Sequence, residues 1–213
     1  HIRGDVHHTQ PAAISITQAT ELGTVYTRAE VEALSRLAKA NAMALHMDGA
    51  RFANAIASLG CKPADVTWKA GVDALSLGFT KNGAVAAEAV VFFDPARAAD
   101  FAFRRKKAGH LISKMRFASA QIEAMLEGNL WLKLAGHANA AAQRLADGLR
   151  PLPGFTITAP VEANEVFVKL PSEAAMKALE SADAKFYLWE PITDGRPLIR
   201  LVCSFATREV EVE

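Results

Sequence analysis

Two short stretches decide the fold, LHMDGAR at residues 45–51 and LSLGFTKNG at residues 75–83. Each contains a brief apolar run followed by a functional group, the Asp48 carboxylate in the first and the Lys81 amine in the second. A helical segment closed by Gly60 separates them, as a glycine after a helix commonly does. Neighbouring parallel strands present such groups together at their carboxyl ends. The two stretches therefore predict a site that combines an acid with an amine.

Outward from these stretches, apolar runs and helical segments alternate with short links. Residues 12–17, 43–47, 72–77 and 84–93 are short apolar runs and predict four strands. Strands that alternate with helices favour an α/β fold with a mainly parallel sheet. Residues 155–158 and 165–170, a helix at 172–181, and strands at 186–189 and 198–205 then predict a small α+β layer.

Helix signals fix several further elements. Thr27 and Glu30 form a capping box, which predicts a helix that ends near Asn41. Its inward face is expected to carry Val31, Leu34, Leu37 and Ala38. Asp94 opens another predicted helix that runs past Arg105, and residues 121–150 predict a further one, with Gly128 and Gly136 as its weak points. We place the change of domain near residues 121–128 and divide the chain into residues 1–125 and 126–213.

Composition narrows the class of protein. Apolar residues make up 51% of the 213 residues, which is enough for a sizeable core. The net charge of +1 favours neither nucleic acid nor a membrane surface as partner, and the basic patch at residues 104–107 is too short to change that expectation. Cys61 and Cys203 lie far apart without metal-ligand spacing, so we expect no disulfide, no metal and a reducing, cytoplasmic setting.

Asp48 has three interpretations at this stage. It lies where α/β sheets bind ligands, but it could equally cap the helix that follows. Arg51 is three residues further on, so an internal Asp48–Arg51 salt bridge is the third interpretation.

Lys81 follows a buried strand closely, and a lysine shielded from water becomes a nucleophile toward carbonyl groups. Thr80 would offer a hydroxyl donor to a phosphate oxygen. An ordinary solvent-facing lysine remains the alternative.

Three motifs together resemble the L-threonine aldolases: HMDGAR at 46–51, TKNG at 80–83 and LIRLVCSF at 198–205. These are pyridoxal-phosphate enzymes of the aspartate-aminotransferase-like fold (fold type I), related to the β-eliminating amino-acid lyases. The resemblance implies a three-layer α/β/α large domain with a small C-terminal α+β domain, and pyridoxal 5'-phosphate as cofactor. It implies cleavage of L-threonine, L-allo-threonine or phenylserine-like amino acids to glycine and an aldehyde.

The resemblance also implies residue roles. Lys81 would bond to the cofactor aldehyde, Asp48 would pair with the pyridine nitrogen, and Arg51 would lie near the phenolic oxygen and the substrate carboxylate. Arg200 would clamp that carboxylate, for which a planar guanidinium is well suited. A structural pairing of Arg200 with a nearby acid is the alternative.

Two further roles are carried over from the family. His7 would take the proton of the substrate hydroxyl, with His8 as an equal claimant on sequence alone, and the alternative is that both are ordinary surface residues. Arg116, with Lys106 or Lys107, would reach a phosphate across a subunit boundary in a homotetramer built from dimers.

Family members extend further at the N-terminus, so we expect this chain to be a fragment. A separate N-terminal piece of the same protein is then a further expected partner, beside the small amino-acid substrate. A β-eliminating lyase and a truncated, non-catalytic homologue are the rival functions.

Overall fold

The stretches at residues 45–51 and 75–83 contain neighbouring parallel strands. In the computed structural model, which describes residues 4–212, the larger sheet has the strand order β1-β2-β3-β4. Its strands are β1 (Ala13–Thr17), β2 (Ala44–Gly49), β3 (Ala74–Gly78) and β4 (Glu88–Phe92). The first three are parallel and β4 is antiparallel to β3. Because Asp48 pairs with Ser76, the carboxyl ends of β2 and β3 share one edge of the sheet. The predicted mainly parallel α/β fold is confirmed.

The last strand of this sheet is shorter than predicted. The chain turns at Gly83, whose φ of 117° is the left-handed conformation that glycine tolerates. Residues 84–87 then form a return loop in which Ala84 N and Phe79 N donate to Phe79 O and Ala87 O. Strand pairing therefore begins only at Glu88, not at residue 84.

Helices α1 (Arg28–Ala40) and α2 (Phe52–Leu59) cover one face of the sheet. The capping box predicted at Thr27 is present, since Thr27 accepts from Glu30 N and the Glu30 carboxylate accepts from Thr27 N. Val31 and Ala38 are fully buried, as expected. Leu37 is 53% exposed, so its predicted inward position is wrong. Its neighbours Val31, Leu34 and Ala38 face the core instead, since they follow the helical repeat.

Alternation along the strands gives the sheet two unlike faces. Leu45, Met47 and Leu75 are almost fully buried in the core beneath the helices. The opposite face carries His46, Asp48 and Ser76, which are only partly buried. One face of the sheet therefore packs against the helices through apolar side chains, and the opposite face presents polar side chains.

The middle of the chain is more broken than predicted. Instead of one long helix from Asp94, a 3-10 turn at Pro95–Ala98 precedes α3 (Phe101–Lys107). The next predicted helix divides into α4 (Arg116–Leu126) and α5 (Leu130–Leu149) at Gly128, whose φ is 56°. Gly136 lies within α5 and does not interrupt the helix.

A second sheet follows, with the strand order β5-β6-β8-β7 and antiparallel pairing throughout. Its predicted β-β-α-β-β sequence is confirmed, although the outer strands are short. The elements are β5 (Thr156–Ile157), β6 (Glu165–Lys169), α6 (Glu173–Ser181), β7 (Tyr187–Leu188) and β8 (Leu198–Val202).

Helix α5 contributes to both sheets. Trp131 and Ala135, near its start, lie in the first core, whereas Ala142 and Ala146 lie in the second. The domain boundary between residues 125 and 126 stays a prediction. Within residues 4–212, no helix is long and apolar enough to span a bilayer.

Two glycines test this packing. A Cβ at Gly49 would lie 2.8 Å from Ser76 O and 2.8 Å from Leu75 Cδ1, whereas a Cβ at Gly136 would meet nothing within 4 Å. We expect Gly49→Ala to lower the free energy of unfolding by about 1–3 kcal/mol through overpacking. Gly136→Ala, the control, should raise it by up to about 1 kcal/mol through helix propensity. Urea unfolding monitored by circular dichroism measures both, and equal effects would contradict the assigned packing.

Candidate active site

Asp48 is the second-last residue of β2, at the shared edge of the sheet. Its Oδ1 accepts a hydrogen bond from Ala50 N at 2.9 Å, so the carboxylate caps the turn before α2. The first turn of α2 receives no side-chain cap, because its N-cap residue is Arg51. The expected alternative of an Asp48–Arg51 ion pair is wrong, since Arg51 turns toward Glu165.

Lys81 lies in a 3-10 turn, Thr80–Asn82, that follows β3 at the same edge. The turn is anchored from below, because Asn82 Nδ2 donates to Trp131 O of α5 at 2.8 Å. Lys81 is exposed. The predicted shielding of this lysine from water is therefore not seen in the described residues. Lys81 is thus an exposed residue on a turn that is anchored to α5.

Thr80 precedes the lysine and is held within the chain. Its hydroxyl donates to Glu88 Oε1 at 2.7 Å and accepts from Ala87 N at 3.3 Å. These bonds fix the loop that carries Lys81. A contact between Thr80 and a phosphate stays a prediction.

A buried carboxylate joins the two sheets. Oε1 of Glu165, the first residue of β6, lies 3.1 Å from Arg51 Nη2 and 3.4 Å from Arg200 Nη1. The Glu165 side chain is 1% exposed, against 17% for Arg51 and 19% for Arg200. The structural pairing of Arg200 with an acid, the alternative left open by the sequence, is therefore present. It also brings the two predicted substrate-binding arginines to one point.

Aromatic rings hold the other side of Arg200. The guanidinium carbon lies 5.0 Å from the ring centres of both Tyr187 and Trp189, a cation–π arrangement. Phe167 meets Trp189 edge-on at 4.9 Å. Arg200 also lines a cavity of about 450 Å³, together with Tyr187 and Lys185. Arg200 is thus fixed by rings and by Glu165 while part of it stays accessible.

Burial dominates the electrostatics of Glu165. It raises the pKa of the carboxyl above its ordinary value, and the charges of Arg51, Arg200 and Lys81 oppose that effect. The Glu21 carboxylate raises the pKa further. The loop that contains Glu21 packs closely on β6, since a Cβ at Gly23 would lie 3.1 Å from Glu165 Cβ.

His46 lies two residues before Asp48 on the same polar face. Its Nδ1 is 2.8 Å from Ser15 Oγ and its Nε2 is 3.0 Å from Ser76 Oγ, so the ring bridges β1 and β3. This cross-strand link stiffens the sheet beneath Asp48.

The remaining predicted residues lie apart from this cluster. His7 and His8 are exposed and contact their own turn, through His7 N to Asp5 Oδ1 and His8 Nε2 to Asp5 Oδ2. Arg116 begins α4, where it is exposed and stacks over Phe117 at 5.2 Å. Lys106 and Lys107 are exposed at the end of α3. Within residues 4–212, no hydrogen bond or ion pair joins any of these residues to Asp48, Lys81 or Arg200. Their roles stay predictions.

Sequence reasoning missed Glu165, the ring pair around Arg200 and the His46 bridge. Glu165 did carry a signal, because a charged residue opens the apolar strand EVFVK and shares a strand face with Phe167. No three His, Cys, Asp or Glu side chains among the described residues could hold a metal ion.

The fold and the acid, amine and arginine set define a protein of the pyridoxal-phosphate-dependent, fold type I class. The chain belongs to the beta-eliminating lyase family, whose model matches residues 1–173.

Named relatives refine this assignment. The chain is 47% identical to the low-specificity L-threonine aldolase of a Pseudomonas species over 210 residues, which are 99% of this chain and 59% of that protein. It is also 47% identical to the enzyme of that name from Pseudomonas aeruginosa, covering 96% of this chain and 58% of the relative. The solved threonine aldolase of Leishmania major matches with a TM-score of 0.89 and 31% identity, over 98% of this chain and 60% of that one. The chain thus spans well under two thirds of each relative.

The raised pKa of Glu165 predicts how stability depends on pH. The carboxyl binds its proton more tightly in the folded state, so its stabilising effect is complete below its ordinary pKa of 4.5 and is lost as pH rises through the folded-state value. Glu165→Gln lacks this dependence. We subtract the free energy of unfolding of the wild type from that of Glu165→Gln. This difference should increase with pH, by about 1.4 kcal/mol in total for each unit by which the pKa of Glu165 differs between the folded and unfolded states.

Urea unfolding of both proteins between pH 4 and pH 8 measures that difference. The groups facing Glu165 are Glu21, Arg51, Lys81 and Arg200, and they are shared by the two proteins. A difference that stays flat or falls with pH would contradict the raised pKa.

Proposed function

We propose that the full-length protein is a pyridoxal-phosphate-dependent aldolase. It cleaves L-threonine or L-allo-threonine, and similar β-hydroxy-α-amino acids such as phenylserine, to glycine and an aldehyde. One observation carries the proposal: Asp48 lies near the end of β2 and Lys81 follows the neighbouring parallel strand β3, and the Arg51–Glu165–Arg200 cluster joins that edge to the second sheet. Identity of 47% to two proteins named low-specificity L-threonine aldolase supports this choice of reaction.

The residues present fit the cofactor. The Lys81 amine is accessible, and Asp48 uses one carboxylate oxygen for Ala50 N. Nε of Arg51 is buried and makes no hydrogen bond within the described residues, so a donor remains for an oxygen of the cofactor or substrate. When bound, the cofactor supplies an electron-accepting ring. Asp48 would hold a proton at the ring nitrogen, and Lys81 would bond to the aldehyde carbon.

The arginines and a histidine would handle the substrate. Arg200, with Arg51 beside it, would bind the α-carboxylate and orient the bond between Cα and Cβ. His7 would take the proton of the β-hydroxyl as that bond breaks, which turns Cβ into the aldehyde carbon. Cα then gains a proton and leaves as glycine. His8 is the alternative base.

A homotetramer built as a dimer of dimers is part of the proposal. Arg116, with Lys106 or Lys107, would reach the cofactor phosphate of a neighbouring subunit. Exposed apolar side chains on the same stretch support an interface there, namely Phe103, Ile112 and Phe117. A separate N-terminal piece of the protein would complete the assembly. Both cysteines are free, which supports a cytoplasmic setting.

Two rival functions need different tests. The family description favours a β-eliminating lyase, which would release ammonia and a keto acid rather than glycine and an aldehyde. Measuring both product pairs from L-threonine separates these reactions. A non-catalytic homologue would release neither, even with every segment of the protein present.

The first prediction of the proposal concerns Lys81. Lys81→Ala in the full-length protein should abolish aldehyde release, because the covalent link to the cofactor is lost. Lys69→Ala is the control, since Lys69 is an exposed lysine of the same stretch that pairs with Asp65. Coupled reduction of the aldehyde by an alcohol dehydrogenase measures both. Wild-type activity in Lys81→Ala would refute the aldolase assignment.

The second prediction separates the two histidines. His7→Ala should lower kcat for threonine cleavage by about 10²- to 10⁴-fold, the usual contribution of a positioned base. His8→Ala should stay near wild type, because His8 faces Asp5 in its own turn. The reverse result would transfer the role to His8, and two silent variants would remove this turn from the site.

A further inference from the structure

Among residues 4–212, Glu165 is the one acid within ion-pair distance of both arginines of the proposed carboxylate clamp. Arg51 comes from the edge of the parallel sheet and Arg200 from β8 of the antiparallel sheet, yet both place an Nη within 3.4 Å of the same Oε1. The strand pairing of β6 with β8 and the close packing at Gly23 hold Glu165 in place. Glu165 is therefore a buried carboxylate held by the backbone of a paired strand.

The contact leaves one donor of each arginine without a hydrogen bond among the described residues. Glu165 engages one Nη of each guanidinium, and the Nε of both arginines is buried without a hydrogen bond among the described residues. A carboxylate that merely filled the clamp would take the bidentate edge formed by Nε and Nη. Glu165 leaves the Nε atoms free, so its position is that of a support rather than that of an occupant.

Charge balance requires such a support. Arg51, Arg200 and Lys81 all act on Glu165 electrostatically, which places three positive groups around one buried acid. Without the acid, the two guanidinium groups would repel one another and their orientations would be set by solvent. Tyr187 and Trp189 would still flank Arg200, but no described acid would then fix its distance from Arg51.

We propose that Glu165 is a positioning residue that sets the orientation and spacing of Arg51 and Arg200 for the carboxylate of the amino-acid substrate. The inference rests on the proposed function, because it assigns the arginines to that carboxylate. It adds a residue to the site that acts through its neighbours and does not touch the reacting atoms.

Binding without chemistry tests this role directly. The probe is 3-hydroxybutanoate, which has the carboxylate and β-hydroxyl of threonine but no amino group. Titration calorimetry on the full-length, cofactor-loaded protein should show Glu165→Gln binding it about 10- to 100-fold more weakly than wild type, as expected when charged hydrogen bonds lose their alignment. Glu165→Asp, which keeps the charge, should recover part of that loss.

Kinetics give the second readout. For threonine cleavage, Glu165→Gln should raise KM by a similar factor while kcat stays within about threefold, the pattern of lost uniform binding. The matched control is Glu162→Gln. Glu162 ties the same region of the chain to the loop after β1, through Val25 N at 2.8 Å, without contacting either arginine. Both KM and the affinity for 3-hydroxybutanoate should stay within about twofold of wild type in this control.

Each outcome decides the matter. Equal or tighter binding by Glu165→Gln, a fall in kcat at constant KM, or an equal loss in Glu162→Gln would overturn the positioning role, and so would a wild-type protein that does not bind the probe. If Glu165→Gln fails to fold, the comparison of Glu165→Asp with Glu162→Gln decides instead. A protein that binds the probe as expected but releases no glycine would refute the proposed function and leave the clamp intact.

Discussion

The parallel register of β1, β2 and β3 is the constraint on which the rest of the structure depends. Pairing Asp48 with Ser76 sends Leu45, Met47 and Leu75 to one face and His46, Asp48 and Ser76 to the other. A slip of one residue would exchange the two faces and bury the polar groups. Helices α1 and α2 pack on the apolar face, and the shared edge carries Asp48 at the end of β2 and Lys81 in the turn after β3. Core and site thus follow from one set of hydrogen bonds.

Two further links turn this edge into a site. Helix α5 anchors the Lys81 turn through Trp131 and Asn82, and it reaches the second core with Ala142 and Ala146. Glu165 then joins Arg51 to Arg200. Burying a carboxylate is costly, and here two guanidinium groups at 3.1 and 3.4 Å offset part of that cost, while burial still raises the pKa of Glu165. The same arrangement that makes Glu165 tolerable places two arginines side by side.

Several elements could be predicted because their signals are local. The capping box at Thr27, the strand runs and the β-β-α-β-β order all depend on residues near in sequence. The predictions for Leu37, for the helix after Asp94 and for the start of β4 are wrong. Packing and the turn at Gly83 decide these features. The pairing of Arg51 with Glu165 spans two sheets, so no spacing in the sequence could reveal it. Resemblance to a family supplied roles for His7 and Arg116, which local patterns could not.

The sequence by itself determined the α/β class, the two strand ends that carry Asp48 and Lys81, and the family, since these depend on hydrophobic period and on short motifs. The tertiary structure alone decided which charges meet. Arg51 could have paired with Asp48 three residues away, but the turn at Ala50 occupies one oxygen of that carboxylate. The guanidinium reaches Glu165 instead, because a fully buried acid without a partner would cost more free energy than the partly buried Asp48. Long-range electrostatics inside a packed interior, rather than spacing along the chain, therefore assembled the cluster around Glu165.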